Sequence, residues 1–247
     1  AQEIMTDGLY SLYTKKPDLE ENFAAVFYDE DNNSEAIFVR DYLLKSGKVV
    51  GYTLVNQPWS GAEDLEGGRL NPSLNIAQSF EKLDNTFAPF DIHTGTDYVY
   101  YNNLTDVFAG RDARLGGTII LPGTAFKGKT VDIWAGYVLD DGSKVTSNTY
   151  AGKAVLPGKT TEEQVVGYDG PINSLEFTAQ TGFYVRKFMD PNPGSGMRGP
   201  LSGLWWIRYR YAEVLLNAAE AAFELGQTDI AAGYMNEVRN RFGLLTD

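Results

Sequence analysis

Cysteine is absent from the 247 residues, which removes disulfides, thiol nucleophiles and zinc–thiolate sites together. The absence leaves the compartment open, since a secreted protein can do without disulfides. Histidine is nearly absent as well: His93 stands alone, in Asp91-Ile92-His93-Thr94-Gly95. A Ser–His–Asp apparatus would have to be built on it, and no G-x-S-x-G elbow supplies the nucleophile. His93 therefore reads as a polar loop residue. Long apolar runs are missing too, and none approaches the length of a membrane-spanning helix. Basic residues are outnumbered, 21 Lys and Arg against 33 Asp and Glu, for a net charge of −12. So acidic a surface repels phosphate backbones, and no basic patch offsets it, which argues against a nucleic-acid partner.

What is present describes a globular chain: 43% apolar, 13% aromatic and long enough for one sizeable core. The most regular stretch runs from Trp205 to Phe242. Tyr211, Leu215, Ala218, Ala222 and Leu225 form an apolar helical stripe, opposite a polar one of Arg210, Glu213, Asn217, Glu220 and Glu224. Gly226 is placed to stop that helix, and Thr228 or Asp229 to cap a second one. The second helix would line Ala231, Met235, Val238 and Phe242 on one face, with Gly243 at its end. So short a turn makes the two helices pack on each other, as in one tetratricopeptide-like unit, which needs neighbours to cover its apolar face.

Upstream, a helix is expected over 17–27 with Leu19, Phe23, Val26 and Phe27 on one side. A polar turn over 29–35 precedes a strand over 36–39. Residues 40–130 are rich in Gly, Pro and Asn; one helix is expected there, over 74–83, with strands at 49–55, 98–101 and 118–121. The run 131–139 (VDIWAGYVL) reads as the best strand in the chain, followed by hairpin chemistry at Asp141-Gly142-Ser143. Residues 142–182 read as polar loop, 183–189 as a strand and 191–203 as a flexible linker. The organisation is thus a lead-in over 1–40, a loop-rich region over 41–203 and a helical hairpin over 204–243.

Three patterns that carry chemistry elsewhere are weak here. Gly194-Ser195-Gly196-Met197-Arg198-Gly199 matches G-x-G-x-x-G, yet the βαβ context a dinucleotide site requires is missing. Asp29, Asp31, Asn33 and Glu35 alternate like a calcium loop, but Ser34 and Arg40 stand where that loop needs Gly and Glu, so turn and capping roles are favoured. No metal and no cofactor is expected. Asp140-Asp141 and Glu162-Glu163 are adjacent acids, which tend to point apart and do not make a glycosidase pair. Glycoside hydrolysis stays open as a third reading.

The aromatics are the better lead. Sugars present apolar C–H faces and polar edges, so a site for them combines flat rings with amides and guanidinium groups. Trp59 lies in Asn56-Gln57-Pro58-Trp59-Ser60-Gly61, with Arg69 and Asn71 close behind, and Tyr98 opens a Tyr- and Asn-rich stretch to Asn103. Trp59 is expected to be exposed; Trp134, Trp205 and Trp206 are expected in the core. Trp59, Arg69, Asn71 and Tyr98 are the expected ligand contacts.

Strings in series carry a resemblance. They are Gly8-Leu9-Tyr10-Ser11-Leu12, Asn33-Ser34-Glu35-Ala36-Ile37-Phe38, Asn71-Pro72-Ser73-Leu74, Asp112-Ala113-Arg114-Leu115, Thr118 to Gly123 and Gly182 to Phe188. Arg210 to Asn217, Ala219-Glu220-Ala221 and Asn236 to Arg241 follow. Together they resemble the SusD/RagB-like family of outer-membrane nutrient-binding lipoproteins. The resemblance implies a mainly α fold of tetratricopeptide-like helical hairpins, an α–α superhelix, with a large loop-rich insert containing short β-strands. It implies non-catalytic binding of oligosaccharide or polysaccharide at the cell surface and delivery to a SusC-like TonB-dependent transporter in the outer membrane. It also implies that this chain is an internal segment, membrane-bound only through a lipid anchor outside it. The family has no fixed ligand motif, so the four contacts above rest on local chemistry. The alternative reading is a tetratricopeptide-type scaffold for a peptide or protein.

Overall fold

The computed structural model describes residues 1–172 and 176–244. α1 (Gln2–Thr6) leads to α2 (Leu19–Ala25), whose first turn is closed by the Asp18 carboxylate accepting the Glu21 amide at 2.7 Å. Phe23, Val26 and Phe27 go into the core as the spacing predicts, while Leu19 at the head of the stripe stays exposed. The polar turn then feeds β1 (Ala36–Arg40).

Two expectations in the next stretch need correction. α3 (Tyr52–Asn56) stands where a strand over 49–55 was expected. Its single turn buries Thr53, Leu54 and Asn56, and the Asn56 amide donates back to the Tyr52 carbonyl at 2.8 Å; tertiary burial overrides the β-propensity of Tyr-Thr-Leu-Val. α4 (Leu74–Gln78), capped by the Ser73 hydroxyl, ends before Leu83. The Ser79 hydroxyl donates to the Ile76 carbonyl at 2.7 Å, and the chain turns so that Lys82 can bridge to Arg111.

Short hairpins follow: β2 (His93–Thr94) with β3 (Asp97–Tyr98), and, after α5 (Arg114–Thr118) and β4 (Ile119–Ile120), β5 (Ala125–Phe126) with β6 (Lys129–Thr130). Of the run 131–139, only β7 (Tyr137–Val138) pairs, with β8 (Lys144–Val145) across the expected Asp141-Gly142-Ser143 turn. Val131 and Ile133 are core residues all the same. The backbone around them bonds to the irregular segment 167–170, Trp134 N–H to the Gly170 carbonyl at 2.8 Å and Gly167 N–H to the Trp134 carbonyl at 2.7 Å.

The region expected to be polar loop carries another hairpin, β9 (Lys153–Val155) with β10 (Glu162–Gln164); residues 173–175 within it lie outside the described residues. β11 (Tyr184–Val185) pairs with β4, and this two-residue ladder separates two parts of the core. Ile119 and Phe183 face one cluster, with Phe90, Leu115 and Leu121. Ile120 and Tyr184 face the other, with Phe126, Val131 and Met189; alternation holds along 119–121, while Val185 joins the same cluster as Tyr184. In the 191–203 stretch, expected as a flexible linker, Ser195, Gly196 and Ser202 are buried while Asn192, Pro193 and 197–200 are exposed.

The C-terminal stretch opens with a strand that helical periodicity had absorbed. β12 (Trp206–Arg210) pairs antiparallel with β1, and the chain turns directly into α6 (Tyr211–Glu224) and α7 (Thr228–Asn240). Gly226 takes φ 76° at the turn, the left-handed conformation that stops α6. Ala212, Leu215 and Val238 pack between the helices, while Leu225 and Met235 are exposed. The helical hairpin and the strand-bearing insert are therefore both present, with one such hairpin among the described residues.

One buried charge ties these parts together. Glu35 is fully buried, and its carboxylate accepts the Tyr13 amide at 2.9 Å while pairing with both Arg210 and Arg241. The Glu35 carbonyl accepts the Tyr211 amide at 2.8 Å, fixing the start of α6. Burial pushes the Glu35 carboxyl up, but the two guanidinium groups and the donated hydrogen bonds outweigh it and hold it below its usual range. A depressed carboxyl contributes stability that is present above its unfolded value of about 4.3 and lost as pH falls through the folded value. Glu35→Gln should therefore cost about 3–5 kcal/mol in urea unfolding at neutral pH, since it strands the buried Arg241 guanidinium and takes a partner from the half-buried Arg210. It should also remove part of the acid-side loss of stability; an unchanged acid limb and midpoint would exclude this role.

Candidate functional site

The loop 56–71 is built from the inside. The Gln57 side chain is fully buried and donates to the Glu66 and Gly196 carbonyls at 3.2 and 3.1 Å, while the Asn56 carboxamide accepts the Leu70 amide at 2.9 Å. These are the two amides that the sequence places beside an indole. The structure consumes both in holding the loop. Gly67 is required where it is, because a Cβ there would sit 2.2 Å from the Gln57 carbonyl oxygen.

The loop is anchored to the insert by a second buried acid. Asp169, fully buried, accepts the Ser60 amide and the Asp132 amide, each at 2.7 Å, and its carbonyl accepts the Tyr184 hydroxyl at 2.9 Å. Burial pushes its carboxyl up, with the two donated amides pulling the other way. Trp59, next to Ser60, is thereby fixed.

Trp59 is half-buried instead of exposed, because rings from far along the chain lie parallel to it. Tyr150 stacks at 4.9 Å with 15° between planes, and Phe177 at 5.9 Å with 9°. Tyr168 continues from Tyr150 at 6.3 Å and is itself exposed. Trp59, Tyr150 and Phe177 are each half-buried in this stack, and Tyr168 at its end is exposed. The result is a row of four aromatic side chains along one part of the insert.

Arg69 stands over the Phe177 ring at 5.8 Å and so closes one end of the row. A cleft of about 280 Å³ opens there, lined by Arg69, Asn71, Glu176, Phe177, Thr178 and Gln180. Asn71 bridges its walls, donating to the Gly68 carbonyl and accepting the Gln180 amide, both at 2.6 Å. Arg69 and Asn71 thus line one cleft, which Trp59 reaches only through the Phe177 ring. Tyr98 does not line that cleft: it lies on β3 with its ring 4.7 Å from His93, exposed on a separate hairpin. Tyr150, Phe177 and Tyr168 were missed in the sequence, where they sit in featureless polar stretches with no periodicity to mark them.

The other patterns resolve into structural roles. Gly194 and Gly196 present their amides to the Glu63 carboxylate at 2.5 and 2.8 Å, and Lys127 pairs with the same group. The donors a pyrophosphate would need in that glycine loop are already taken. Asn33 caps the 29–35 turn, accepting the Glu35 and Ala36 amides at 3.0 Å, and Asp29 accepts the Tyr13 hydroxyl at 2.5 Å. Asp141 closes its turn on Ser143, and Glu163 pairs with Lys159 at 3.1 Å. Among the described residues no group of three or more His, Cys, Asp or Glu is placed to hold a metal ion. Trp206 stacks on Phe188 at 4.0 Å, Trp205 packs on the cluster around Phe27, and Trp134 donates to Asp132 at 2.7 Å. All three are packed but half-buried.

Comparison with known proteins gives a consistent answer. The model of the SusD family matches residues 26–246. A SusD-like protein from Bacteroides fragilis is similar over 100% of this chain and 43% of its own, with a TM-score of 0.65 and 25% identity. A SusD-like carbohydrate binding protein from the same organism is similar over 100% of this chain and 40% of its own, with a TM-score of 0.65 and 22% identity. The chain therefore spans about two fifths of the length of these solved structures. No curated protein matches it.

Asn71→Ala should loosen the cleft, since it removes the carboxamide that joins the Gly68 carbonyl to the Gln180 amide. The expected cost is about 1–3 kcal/mol in thermal unfolding, with faster hydrogen exchange at the Gln180 amide. Unaltered exchange at Gln180 would show that Asn71 does not hold the walls.

Proposed function

The chain belongs to the SusD family, and from that premise we propose that it captures an oligosaccharide or polysaccharide on the aromatic row without altering it. The observation that carries this reading is the row itself: Tyr168, Tyr150, Trp59 and Phe177 in sequence of contact, with Arg69 and the cleft at one end. Uncovered ring faces and edges receive the C–H faces of pyranose units. The Arg69 guanidinium and the Gln180 side chain at the rim provide hydrogen bonds for hydroxyl groups. A shallow, wet face of this kind gives modest affinity. Asn71 acts by holding the walls in place, and Tyr98 with His93 offers a second, separate ring surface.

The setting follows the family. The protein is held at the cell surface by a lipid anchor outside this segment and passes the glycan to a SusC-like TonB-dependent transporter in the outer membrane. The α6–α7 hairpin stacks with further tetratricopeptide-like hairpins. Leu216, Phe223 and Leu225, exposed on or just after α6, support that stacking, since a single unit leaves such residues uncovered.

The test is calorimetric titration against a polysaccharide panel, with a reducing-sugar assay run alongside. Trp59→Ala and Tyr150→Ala should each weaken binding about tenfold or more, as loss of a stacking ring does, and no reducing ends should be released. Wild-type affinity in both variants would place the site elsewhere. Binding of peptides but no glycan would favour a peptide scaffold, and released reducing ends would make the protein a hydrolase.

A further inference from the structure

Resting on the carbohydrate reading above, we propose that this face selects uncharged sugars, and that Glu66 is the residue that sets the choice. Arg69 is the one cation among the described residues lining the cleft, and a guanidinium there would ordinarily favour a uronate or sulfate group. It is not free to do so. Its Nε and one terminal nitrogen both lie on a single Glu66 oxygen, at 2.9 and 2.7 Å. The other Glu66 oxygen takes Arg198 at 3.1 Å, so one carboxylate holds both nearby guanidinium groups.

Glu66 is itself fixed. Its side chain is only 14% exposed, against 58% for Arg69. Its carbonyl accepts the buried Gln57 carboxamide at 3.2 Å, and its amide donates to the Asp64 carbonyl at 2.7 Å. Asp64 in turn accepts the Arg198 amide at 3.0 Å. The opposite wall adds Glu176, which is exposed. Glu66 pairs with both Arg69 and Arg198, Asp64 holds the Arg198 backbone, and Glu176 lines the cleft, so three acids stand against two guanidinium groups around it. An acidic sugar would have to displace Glu66 from Arg69 while approaching Glu176. A neutral sugar needs neither, because the remaining Arg69 N–H groups still donate to hydroxyl oxygens.

The experiment uses the whole chain and matched oligosaccharide pairs of equal length: glucan with glucuronan, galactan with galacturonan, mannan with mannuronan. In whichever configuration binds, the neutral member should be tighter by about tenfold, as like charges at the rim require. Its affinity should change less than about twofold between about 50 and about 500 mM NaCl, because no net ion pair forms on binding. Glu66→Gln should raise the ratio of acidic to neutral affinity by about tenfold and make acidic binding salt-sensitive. Adding Arg69→Gln to that variant should abolish the gain. An acidic member preferred by the wild-type chain, or a ratio unmoved in a folded Glu66→Gln variant, overturns the assignment while leaving carbohydrate binding intact. Should Glu66→Gln fail to fold, the wild-type pair and salt measurements decide alone. No binding to any member of the panel removes the carbohydrate reading and this inference with it.

Discussion

A carboxylate with no access to water, Glu35, is the point on which the N-terminal segment, the β1–β12 ladder and the helical hairpin converge. Taking one acid and two guanidinium groups out of water is costly, and their mutual attraction recovers that cost only with good geometry and satisfied hydrogen bonds. Here the acid has the Tyr13 amide as well as both arginines. Partners drawn from residues 13, 35, 210 and 241 cannot be satisfied by any local structure. A chain in which β1 slipped against β12, or α7 docked one turn away, would leave a bare charge inside. The triad is therefore better understood as a selector of register than as a source of net stability. It also gives three of the strings behind the family resemblance a common physical meaning: Asn33-Ser34-Glu35, the start at Arg210 and the end at Arg241 are the parts of one ion cluster.

The insert follows the same logic with less charge. Its strands are two or three residues long, so ladders satisfy only a small part of its backbone. Buried or half-buried polar side chains satisfy much of the rest. Asp169 collects the Ser60 and Asp132 amides, Glu63 those of Gly194 and Gly196, Asn56 that of Leu70 and Asn71 that of Gln180. A buried amide needs an acceptor wherever the chain has no neighbour strand, and a carboxylate with two oxygens can serve two segments at once. Such staples leave loop geometry free of sheet regularity while keeping it rigid, which is what a surface built from rings of distant segments requires.

The legible parts of the fold were those with local causes. The α6–α7 hairpin, its stop at Gly226, the strand β1 and the turn at Asp141-Gly142-Ser143 follow from periodicity and left-handed or capping residues within a few positions. The misread parts were decided by partners far away. Val131 and Ile133 have the hydrophobicity of a central strand, yet their backbone is claimed by 167–170; Tyr52–Asn56 has β-prone residues but one turn's worth of burial. The site shows both cases. Arg69 and Asn71, singled out for their closeness in sequence to Trp59, line the cleft beside Phe177. Tyr150, Tyr168 and Phe177 were not singled out, because what makes them matter is a parallel arrangement of rings that has no sequence period.

The acidic composition acquires a specific sense from these contacts. A net charge of −12 suggests, in the sequence alone, a diffuse repulsive surface. In the fold, several of the acids are internal acceptors: Glu35 for arginines, Asp169 and Glu63 for backbone amides, Glu66 for the two guanidinium groups at the rim. An acid occupied in this way cannot also serve as a proton donor or nucleophile without releasing the loop it holds. Releasing Asp169 would free Ser60 and the adjacent Trp59. These four acids are thus committed to holding the fold and the ring surface in shape.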